Sequence, residues 1–282
     1  MTAEETILRA SRSFFRGRTL LVTGASSGIG YDIARVLAGL GAKTGLIARR
    51  QNLLDDLAAR IRDEGGNAFA YAADVTIRSE VQSAIGKVLN EYGHLDILIN
   101  SAGILERCEV ETMDPESLRR MLEVNLFGTL HATQAVLPAM RRARAGNIVT
   151  IASLAGRRGI PRLGGYSASK FALVGLTEAL RVELFGSGVR VSLVMPGVVD
   201  TPMTKSEQTA EGSRWIAEGM PGMPVRWVTW AVIAALRLGL AEVDVPPGAA
   251  VVEKLAALFP SFTDAALALS GRVFGWAANR RH

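Results

Sequence analysis

The chain has 282 residues, a length that fits one large α/β domain or two small ones. Apolar residues make up 49% of it, which is ample for a buried core and argues against disorder. The net charge of +5 suits an anionic ligand, but no dense basic stripe with interleaved aromatic residues occurs, so nucleic-acid binding is not expected.

Cysteine usage and the first residues favour a reducing, cytoplasmic setting. The single cysteine, Cys108, cannot form an internal disulfide, and the three histidines lie too far apart for a recognisable metal-ligand spacing. The first five residues include two acids and lack the basic start and apolar core of a signal peptide. Residues 228–240 are apolar but too short to span a bilayer, so they are expected to form a packed helix.

Short apolar runs alternate with longer helical patterns, which is typical of βαβ units and a parallel sheet. The apolar runs carry few charges, as expected for strands that helices cover on both faces. The predicted strands are residues 19–23, 44–48, 68–72, 97–100, 147–151 and 190–194. The predicted helices are residues 29–40, 52–64, 78–92, 116–142, 166–186 and 226–239. The sequence therefore predicts a Rossmann-type, doubly wound α/β fold with a mostly parallel sheet.

One catalytic domain is expected over residues 18–250, because no Gly/Ser linker or solenoid-like repeat divides the chain. Residues 1–17 are interpreted as a short N-terminal extension, and residues 251–282 as a C-terminal helical extension. Residues 198–225 are rich in Thr, Met, Gly and Pro without regular periodicity. A long irregular segment in such a domain is usually disordered or functional, and its place after the last predicted strand makes it a candidate substrate lid.

The first predicted strand runs into a glycine-rich turn, after which a helix begins. Glycines let the chain turn sharply and let a ligand approach the backbone, and the helix N-terminus offers N–H groups to a pyrophosphate. This strand–turn–helix context favours a dinucleotide-binding turn over a plain βα turn. The predicted contacts are Gly24, Ser26, Ser27, Gly28, Ile29 and Gly30.

The spacing Gly24-x-x-x-Gly28-x-Gly30 resembles that of the short-chain dehydrogenase/reductase family. In this family's pattern, the acid that would select NAD at the end of the second strand falls at Ala48, and Arg49 follows. Arginine can bind a 2′-phosphate through two charge-assisted hydrogen bonds. The resemblance therefore implies a preference for NADP(H), with NAD(H) as the alternative if Arg49 merely starts a surface helix.

The resemblance implies further cofactor contacts where later strands end. Asp74 would bond to the adenine ring, although it could also cap the next helix. The run from Asn100 to Gly103 resembles the family's Asn-Asn-Ala-Gly with a serine in second place, and Pro196-Gly197 resembles the turn that passes the nicotinamide. The implied contacts are Asp74, Val75, Asn100, Ala102, Gly103, Pro196, Gly197, Val199 and Thr201, with Tyr166 and Lys170 from the next motif.

Tyr166 can donate a proton to a substrate, and the charge of Lys170 can lower the pKa of this tyrosine. Ketone reduction needs a proton for the oxygen, and an ammonium group one helical turn away lowers the pKa of a tyrosine from its usual value of about 10. Ser153 follows the fifth predicted strand, at the sheet edge where ligands bind. The resemblance adds Asn125, which bends its helix and holds a water in a proton relay. The candidate catalytic residues are Asn125, Ser153, Tyr166 and Lys170.

Together these residues predict an NADP(H)-dependent oxidoreductase that interconverts a ketone or aldehyde and an alcohol. Met203 and Trp215 of the candidate lid suit a hydrophobic or lipid-like substrate, which they would contact together with Ser153 and Tyr166, but equally suit a lid that packs on its own core. The alternatives are a non-catalytic dinucleotide sensor or regulator, an NAD-dependent alcohol dehydrogenase, and an epimerase or dehydratase. The tyrosine–lysine pair argues against a sensor, and the glycine spacing argues against the epimerase branch.

The resemblance covers about residues 17–240. Beyond it, the chain lacks the closing strand near Thr-Gly-Gln and the terminal Asp-Gly-Gly of many family members. The amphipathic tail leaves three interpretations open: packing on the same or a neighbouring subunit, a wall of an apolar pocket, or contact with a membrane surface. By analogy, helices beginning near residues 116 and 166 would form a homodimer, while the altered C-terminus puts the usual homotetramer in doubt.

Overall fold

The computed structural model describes residues 10–208, 222–266 and 268–269, and the structure of these residues is discussed below. Within them, seven parallel strands form one sheet in the order β3-β2-β1-β4-β5-β6-β7. The strands are β1 Thr19–Thr23, β2 Lys43–Ala48, β3 Asn67–Ala72, β4 Ile97–Asn100, β5 Gly146–Ile151, β6 Val189–Pro196 and β7 Glu242–Val245. The strand order reverses between β1 and β4, and this switch point is where parallel sheets bind ligands.

Helices cover both faces of the sheet, as the apolar strands require. They are α1 over residues 10–15, α2 Gly28–Gly39, α3 Gln51–Asp63, α4 Arg78–Tyr92, α5 Pro115–Leu122, α6 Gly128–Ala143, α7 Gly164–Glu183, α8 Pro202–Gln208, α9 Val225–Leu238 and α10 Ala249–Leu258. The predicted α/β fold class is confirmed. Residues 1–9, 209–221, 267 and 270–282, which belong to the predicted extensions and lid, lie outside the described residues.

Two apolar layers hold the helices against the sheet. Because side chains alternate along a strand, Leu20 and Val22 of β1 enter one layer and Leu21 enters the other. The first layer joins α2, α3 and α9, and the second joins α4 and α6. Phe15 of α1 is fully buried in the first layer, so this part of the predicted N-terminal extension belongs to the core.

The predicted single helix over residues 116–142 is wrong, because a π-helical turn, Glu123–Phe127, divides it into α5 and α6. A π turn accommodates an extra residue and alters the usual backbone pairing. The side chain of Thr129 compensates in part, since its Oγ1 donates a hydrogen bond of 3.0 Å to the backbone oxygen of Asn125. The turn buries the side chain of Asn125 completely.

The expectation that the chain lacks a closing strand is also wrong. Strand β7 pairs in parallel with β6, where Val194 lies opposite Val243 and Pro196 opposite Val245. Charged residues alternate with valines in β7, and Arg157 and Arg181 bind the Glu242 carboxylate at 2.7 and 3.0 Å. Pairing with these arginines lets an acidic four-residue segment serve as the edge strand.

None of the helices in the described part of the chain combines the length and apolar character needed to cross a bilayer.

We expect Glu242→Gln to lower the free energy of unfolding by about 1 kcal/mol at neutral pH, after allowance for solvent screening. Burial raises the pKa of Glu242, but hydrogen bonds from Arg181 and Arg157 outweigh this effect and hold the pKa below its usual value. A lowered folded-state pKa stabilises the protein above the unfolded pKa, and this contribution disappears as the pH falls through the folded pKa.

Denaturant unfolding at several pH values measures this difference, and Glu178→Gln, an exposed carboxylate on α7, is the matched control. The control is expected to change stability by less than about 0.5 kcal/mol. A deficit of Glu242→Gln that stays constant down to about pH 3 would contradict the ion-pair assignment.

Candidate active site

The turn after β1 lies directly against the end of β4. Gly24 has a φ of +70°, and a Cβ atom there would lie 2.7 Å from the Cα of Ala102. Thr23 Oγ1 accepts hydrogen bonds from the N–H groups of Ser101 and Ala102, at 3.1 and 3.3 Å. Only glycine therefore fits at position 24, both for its backbone conformation and for this close approach.

The other two glycines of the turn shape the start of α2. Gly28 has a φ of +58°, and a Cβ there would lie 3.4 Å from the side chain of Thr201. A Cβ at Gly30 would lie 2.5 Å from the carbonyl oxygen of Gly24. The N-cap residue, Ser27, makes no side-chain hydrogen bond to the helix. The positive end of α2 is thus brought to the sheet edge without a side chain capping its first turn.

A cavity of about 200 Å³ follows the carboxyl edge of the sheet beside β1, β2 and β4. It is lined by four groups: the glycine turn with the start of α2, the ends of strands, the π turn, and the start of α8. The lining residues that the sequence predicts are Gly24, Ser26, Ser27, Gly28, Ile29, Gly30, Arg49, Asp74, Val75, Ala102, Gly103, Thr201 and Met203.

Six predicted cofactor residues are not among those that line the cavity: Asn100, Tyr166, Lys170, Pro196, Gly197 and Val199. The side chain of Asn100 is buried and donates to Thr133 Oγ1 on α6, at 3.2 Å. The backbone of Pro196 and Gly197 engages Ser153 and β7, while Val199 pairs with Met223 in a parallel bridge. Their contacts with a cofactor stay predictions.

Asp74 forms a turn rather than a helix cap. Its Oδ1 accepts hydrogen bonds from the N–H and the hydroxyl of Thr76, at 2.9 and 2.8 Å, while Ile77 is the N-cap residue of α4. The expectation that Asp74 could cap this helix is therefore wrong. Its neighbour Val75 accepts a hydrogen bond from His131 Nδ1 at 3.0 Å, which assigns that histidine a structural contact.

The structure adds Arg50 to the residues singled out from the sequence. Its guanidinium donates hydrogen bonds to Ser26 Oγ at 2.9 Å and to Ser27 Oγ at 3.2 Å. Arg49 and Arg50 both line the cavity, and both are exposed. The signal in the sequence was the pair of arginines itself, but only the folded chain distinguishes the arginine that reaches the glycine turn.

Ser153 and Tyr166 meet where β5 ends. Ser153 Oγ accepts a hydrogen bond from Ala155 N at 3.1 Å and donates to the carbonyl oxygen of Pro196 at 3.3 Å. The side chain of Tyr166, in the first turn of α7, forms a hydrogen bond with Ser153. Burial raises the pKa of Tyr166 to about 12, and the hydrogen bond with Ser153 opposes this rise only in part.

Lys170 lies one helical turn after Tyr166 and is buried. Its Nζ donates to the carbonyl oxygen of Ile151 at 3.2 Å and lies 5.6 Å from the centre of the Tyr166 ring. Burial lowers the pKa of Lys170 to about 8, because an ammonium group is poorly solvated inside the protein. The side chain can therefore change its charge close to neutral pH.

Asn125 connects the π turn with the loop after β4 and with α7. Its Oδ1 accepts from Ile104 N at 2.8 Å, while its Nδ2 donates to Ile104 O at 3.0 Å and to Ser169 Oγ at 2.9 Å. A Cβ at Gly103 would lie 3.2 Å from Asn125 Oδ1 and 3.8 Å from Lys170 Nζ. The four predicted catalytic residues are thus brought to one region at the carboxyl edge.

The two ends of the predicted lid are held together at its base. Besides the bridge between Val199 and Met223, Met223 N donates to Val198 O at 2.9 Å and Asp200 N donates to Met223 O at 3.0 Å. Met203 lines the cavity, whereas Trp215 lies outside the described residues. Contact of either residue with a substrate stays a prediction.

Comparison with known proteins places this geometry in a family context. A family model described as short chain dehydrogenase matches residues 18–212. An oxidoreductase of Staphylococcus epidermidis is 33% identical over 230 residues, which cover 82% of this chain and 97% of that protein. The 3-oxoacyl-(acyl-carrier-protein) reductase of Thermotoga maritima is 36% identical over 191 residues, which cover 67% of this chain and 77% of that protein.

Solved structures agree in fold and in the class of bound molecule. A short-chain dehydrogenase/reductase from Burkholderia phymatum in complex with NAD superposes with a TM-score of 0.79 at 25% identity, covering 88% of this chain and 96% of that one. A variant of actinorhodin polyketide ketoreductase with NADPH gives a TM-score of 0.76 at 31% identity, covering 83% and 97%. The family model, the relatives and the shared fold together establish that this chain is an oxidoreductase of the short-chain dehydrogenase/reductase family.

Proposed function

We propose that this oxidoreductase interconverts a carbonyl and an alcohol, uses NADP(H) as its preferred cofactor and employs Tyr166 as its acid and base. The observation that carries the proposal is the cluster at the carboxyl edge, where Tyr166 bonds to Ser153 and Lys170 Nζ lies 5.6 Å from the tyrosine ring. Relatives named as reductases and ketoreductases support carbonyl reduction as the reaction class.

The residues around the cavity fit a nicotinamide dinucleotide, and bound NAD and NADPH in similar structures support this class of cofactor. Gly24 and Gly30 pack so closely against Ala102 and against the turn itself that no side chain fits there, and this packing holds the positive end of α2 at the cavity, where it can bind a pyrophosphate. When bound, the nicotinamide ring supplies the hydride for reduction or accepts it for oxidation.

Ser153 and Tyr166 act on the substrate oxygen. The contact with Ala155 N orients Ser153 Oγ, whose hydroxyl hydrogen turns from the carbonyl oxygen of Pro196 to that of the substrate. In reduction, the phenol of Tyr166 gives its proton to that oxygen as the carbonyl carbon gains a hydride. In oxidation, the tyrosinate takes the hydroxyl proton back. Both directions require the pKa of Tyr166 to fall below the value that burial alone imposes.

Lys170 lowers that pKa in its charged form, because an ammonium group near the ring stabilises the tyrosinate. Its own lowered pKa also lets it exchange protons near neutral pH. In the proposed relay, Asn125 acts through a bound water that passes protons towards Lys170. Its bonds to Ile104 and Ser169 hold the amide rigidly enough for this role.

The preference for NADP(H) depends on the end of β2. Ala48 stands where a carboxylate would repel a 2′-phosphate, and Arg49 and Arg50 lie beside it. Arg50 already spans from this strand end to Ser26 and Ser27, so its guanidinium is oriented towards the glycine turn. A 2′-phosphate would add a charge-assisted contact for either arginine.

The substrate is proposed to be apolar, the protein cytoplasmic, and the assembly a homo-oligomer. Met203 supports an apolar substrate because it lines the cavity next to the lid base. Three exposed apolar side chains on and just after α7, Phe171, Val182 and Phe185, support a homodimer in which this helix packs against a second copy.

Replacing Tyr166 by phenylalanine removes the transferable proton and retains the ring. We expect kcat for ketone reduction to fall by about 1000-fold, while the Kd for NADPH changes by less than about threefold. Steady-state assays and fluorescence titration measure the two quantities. Retention of more than about a tenth of the activity would show that another group donates the proton.

Arg50→Ala and Arg49→Ala are expected to reduce kcat/KM for NADPH by about 10- to 100-fold each, because each loses a contact to the 2′-phosphate. The value for NADH should stay within about twofold. Arg142→Ala removes an equal charge from the exposed end of α6 and controls for net charge. A wild-type protein that favours NADH about tenfold would refute the cofactor preference.

Lys170→Met is expected to move the pH dependence of alcohol oxidation to higher pH. In the proposed mechanism the lysine ammonium lowers the pKa of Tyr166, so its removal should let this pKa rise. A profile of kcat/KM against pH should therefore shift upward by at least about one unit. An unchanged profile would mean that the lysine does not tune the tyrosine.

A further inference from the structure

The C-terminal extension exposes a row of large apolar side chains. Six of them are between 56% and 77% exposed; three of the six lie on α10, and the other three lie between its end and residue 269. Val251, Leu255 and Leu258 are spaced by four and three residues and so share one side of α10, while Phe259 and Phe262 follow the end of that helix. We call this set the C-terminal apolar face: Val251, Leu255, Leu258, Phe259, Phe262 and Leu269.

This exposure argues against one interpretation of the tail, namely packing of these residues on the same subunit. A buried helix face would show low accessibility, yet Phe262 is 77% exposed and Leu258 is 69% exposed. Single exposed apolar residues are common on soluble proteins, but a contiguous row marks a surface that contacts a partner or a membrane. Within residues 222–266 and 268–269, as the structure describes them, this face is therefore open to an external occupant.

The face begins at the catalytic edge of the sheet. Strand β7 is parallel to β6, so its last residue, Val245, lies at the carboxyl edge, and α10 begins four residues later at Ala249. An ion pair between Arg158 and Asp264 then holds the extension against the loop that follows Ser153. Whatever covers the face is consequently close to the candidate active site.

The charge and composition of the following segment favour a lipid surface as the occupant. Residues 265–282 contain three arginines and neither Asp nor Glu. The same segment contains Phe274 and Trp276, and aromatic residues of this kind are enriched where proteins meet lipid headgroups. Arginines next to an apolar helix face attract anionic lipids and strengthen its insertion.

We propose that the C-terminal apolar face lies in the headgroup region of an anionic lipid bilayer, with the carboxyl edge of the sheet turned towards the membrane. The helix lies in the membrane surface, and the side chains of Leu255, Leu258 and Phe262 enter the boundary of the acyl chains. This inference does not depend on the reaction, but the orientation would give an apolar substrate a short route from the bilayer.

Co-sedimentation of the full chain with lipid vesicles tests the proposal. The probe is a vesicle of phosphatidylcholine with about 30% phosphatidylglycerol, compared with phosphatidylcholine alone and with added salt. We expect the chain to bind the anionic vesicles at least about fivefold more strongly than vesicles of phosphatidylcholine alone. Added salt should weaken this binding, because it screens the arginines.

The decisive variant is Leu255→Ser/Leu258→Ser/Phe262→Ser, which removes three apolar side chains that are already exposed. Its partition coefficient should fall by at least about 100-fold, because each inserted side chain contributes roughly a factor of ten. The control is Leu238→Ser/Leu240→Ser, which changes two exposed leucines, one at the end of α9 and one before β7, at the amino edge of the sheet. This variant should bind as the unmodified chain does.

Two further measurements separate the possible outcomes. Reduction of a water-soluble ketone should be unchanged in the triple variant, so a loss of vesicle binding cannot be ascribed to misfolding. Sedimentation velocity should give the same oligomeric state for both variants. Equal vesicle binding by the triple variant and the control, or no binding by the unmodified chain, would overturn the proposal. A change of oligomeric state without loss of vesicle binding would identify a second copy as the occupant instead.

Discussion

The close approach between the ends of β1 and β4 is the constraint on which the rest of the site depends. Parallel pairing sets Thr23 opposite Asn100, and the turn after β1 then lies so near Ala102 that no Cβ fits at Gly24. The N–H groups that follow β4 are satisfied by the hydroxyl of Thr23, which keeps the two strand ends together. Because the ends of β1 and β4 are fixed relative to each other, the positive end of α2 lies at the edge of the sheet, next to the cavity.

The same edge retains polar groups that a purely structural core would exclude. Burying a lysine or an amide is costly unless hydrogen bonds or a shifted pKa compensate. The side-chain amide of Asn125 makes three hydrogen bonds, to Ile104 and Ser169, whereas Lys170 has one backbone acceptor and a pKa lowered to about 8. The π turn that buries the asparagine also divides a helix that would otherwise be continuous. The buried lysine and the π turn thus lower stability locally, at the place where the proposed chemistry needs a charge and a fixed alignment.

Strands and helices with strong periodicity were predictable because burial on both faces produces continuous apolar runs that a sequence displays directly. Strand β7 was missed because its acids become compatible with a sheet edge only when Arg157 and Arg181, distant in the chain, fold against them. Arg50 was missed for a related reason. The sequence does not distinguish between two consecutive arginines. Only the direction of the chain at the start of α3 brings one of them to Ser26 and Ser27.

The sequence by itself determined the α/β class, the glycine turn and the candidate catalytic residues, because each depends on residue type and local spacing. Only the tertiary structure decided how these residues meet: that Asn100 faces α6 rather than the cavity, and that Asp74 forms a turn with Thr76. It also decided that the described residues Leu255, Leu258 and Phe262 of the C-terminal extension are exposed, in a segment that Arg158 links to the carboxyl edge of the sheet. Local patterns specify what a segment can bury, but which surfaces are finally covered depends on contacts between segments far apart in the chain.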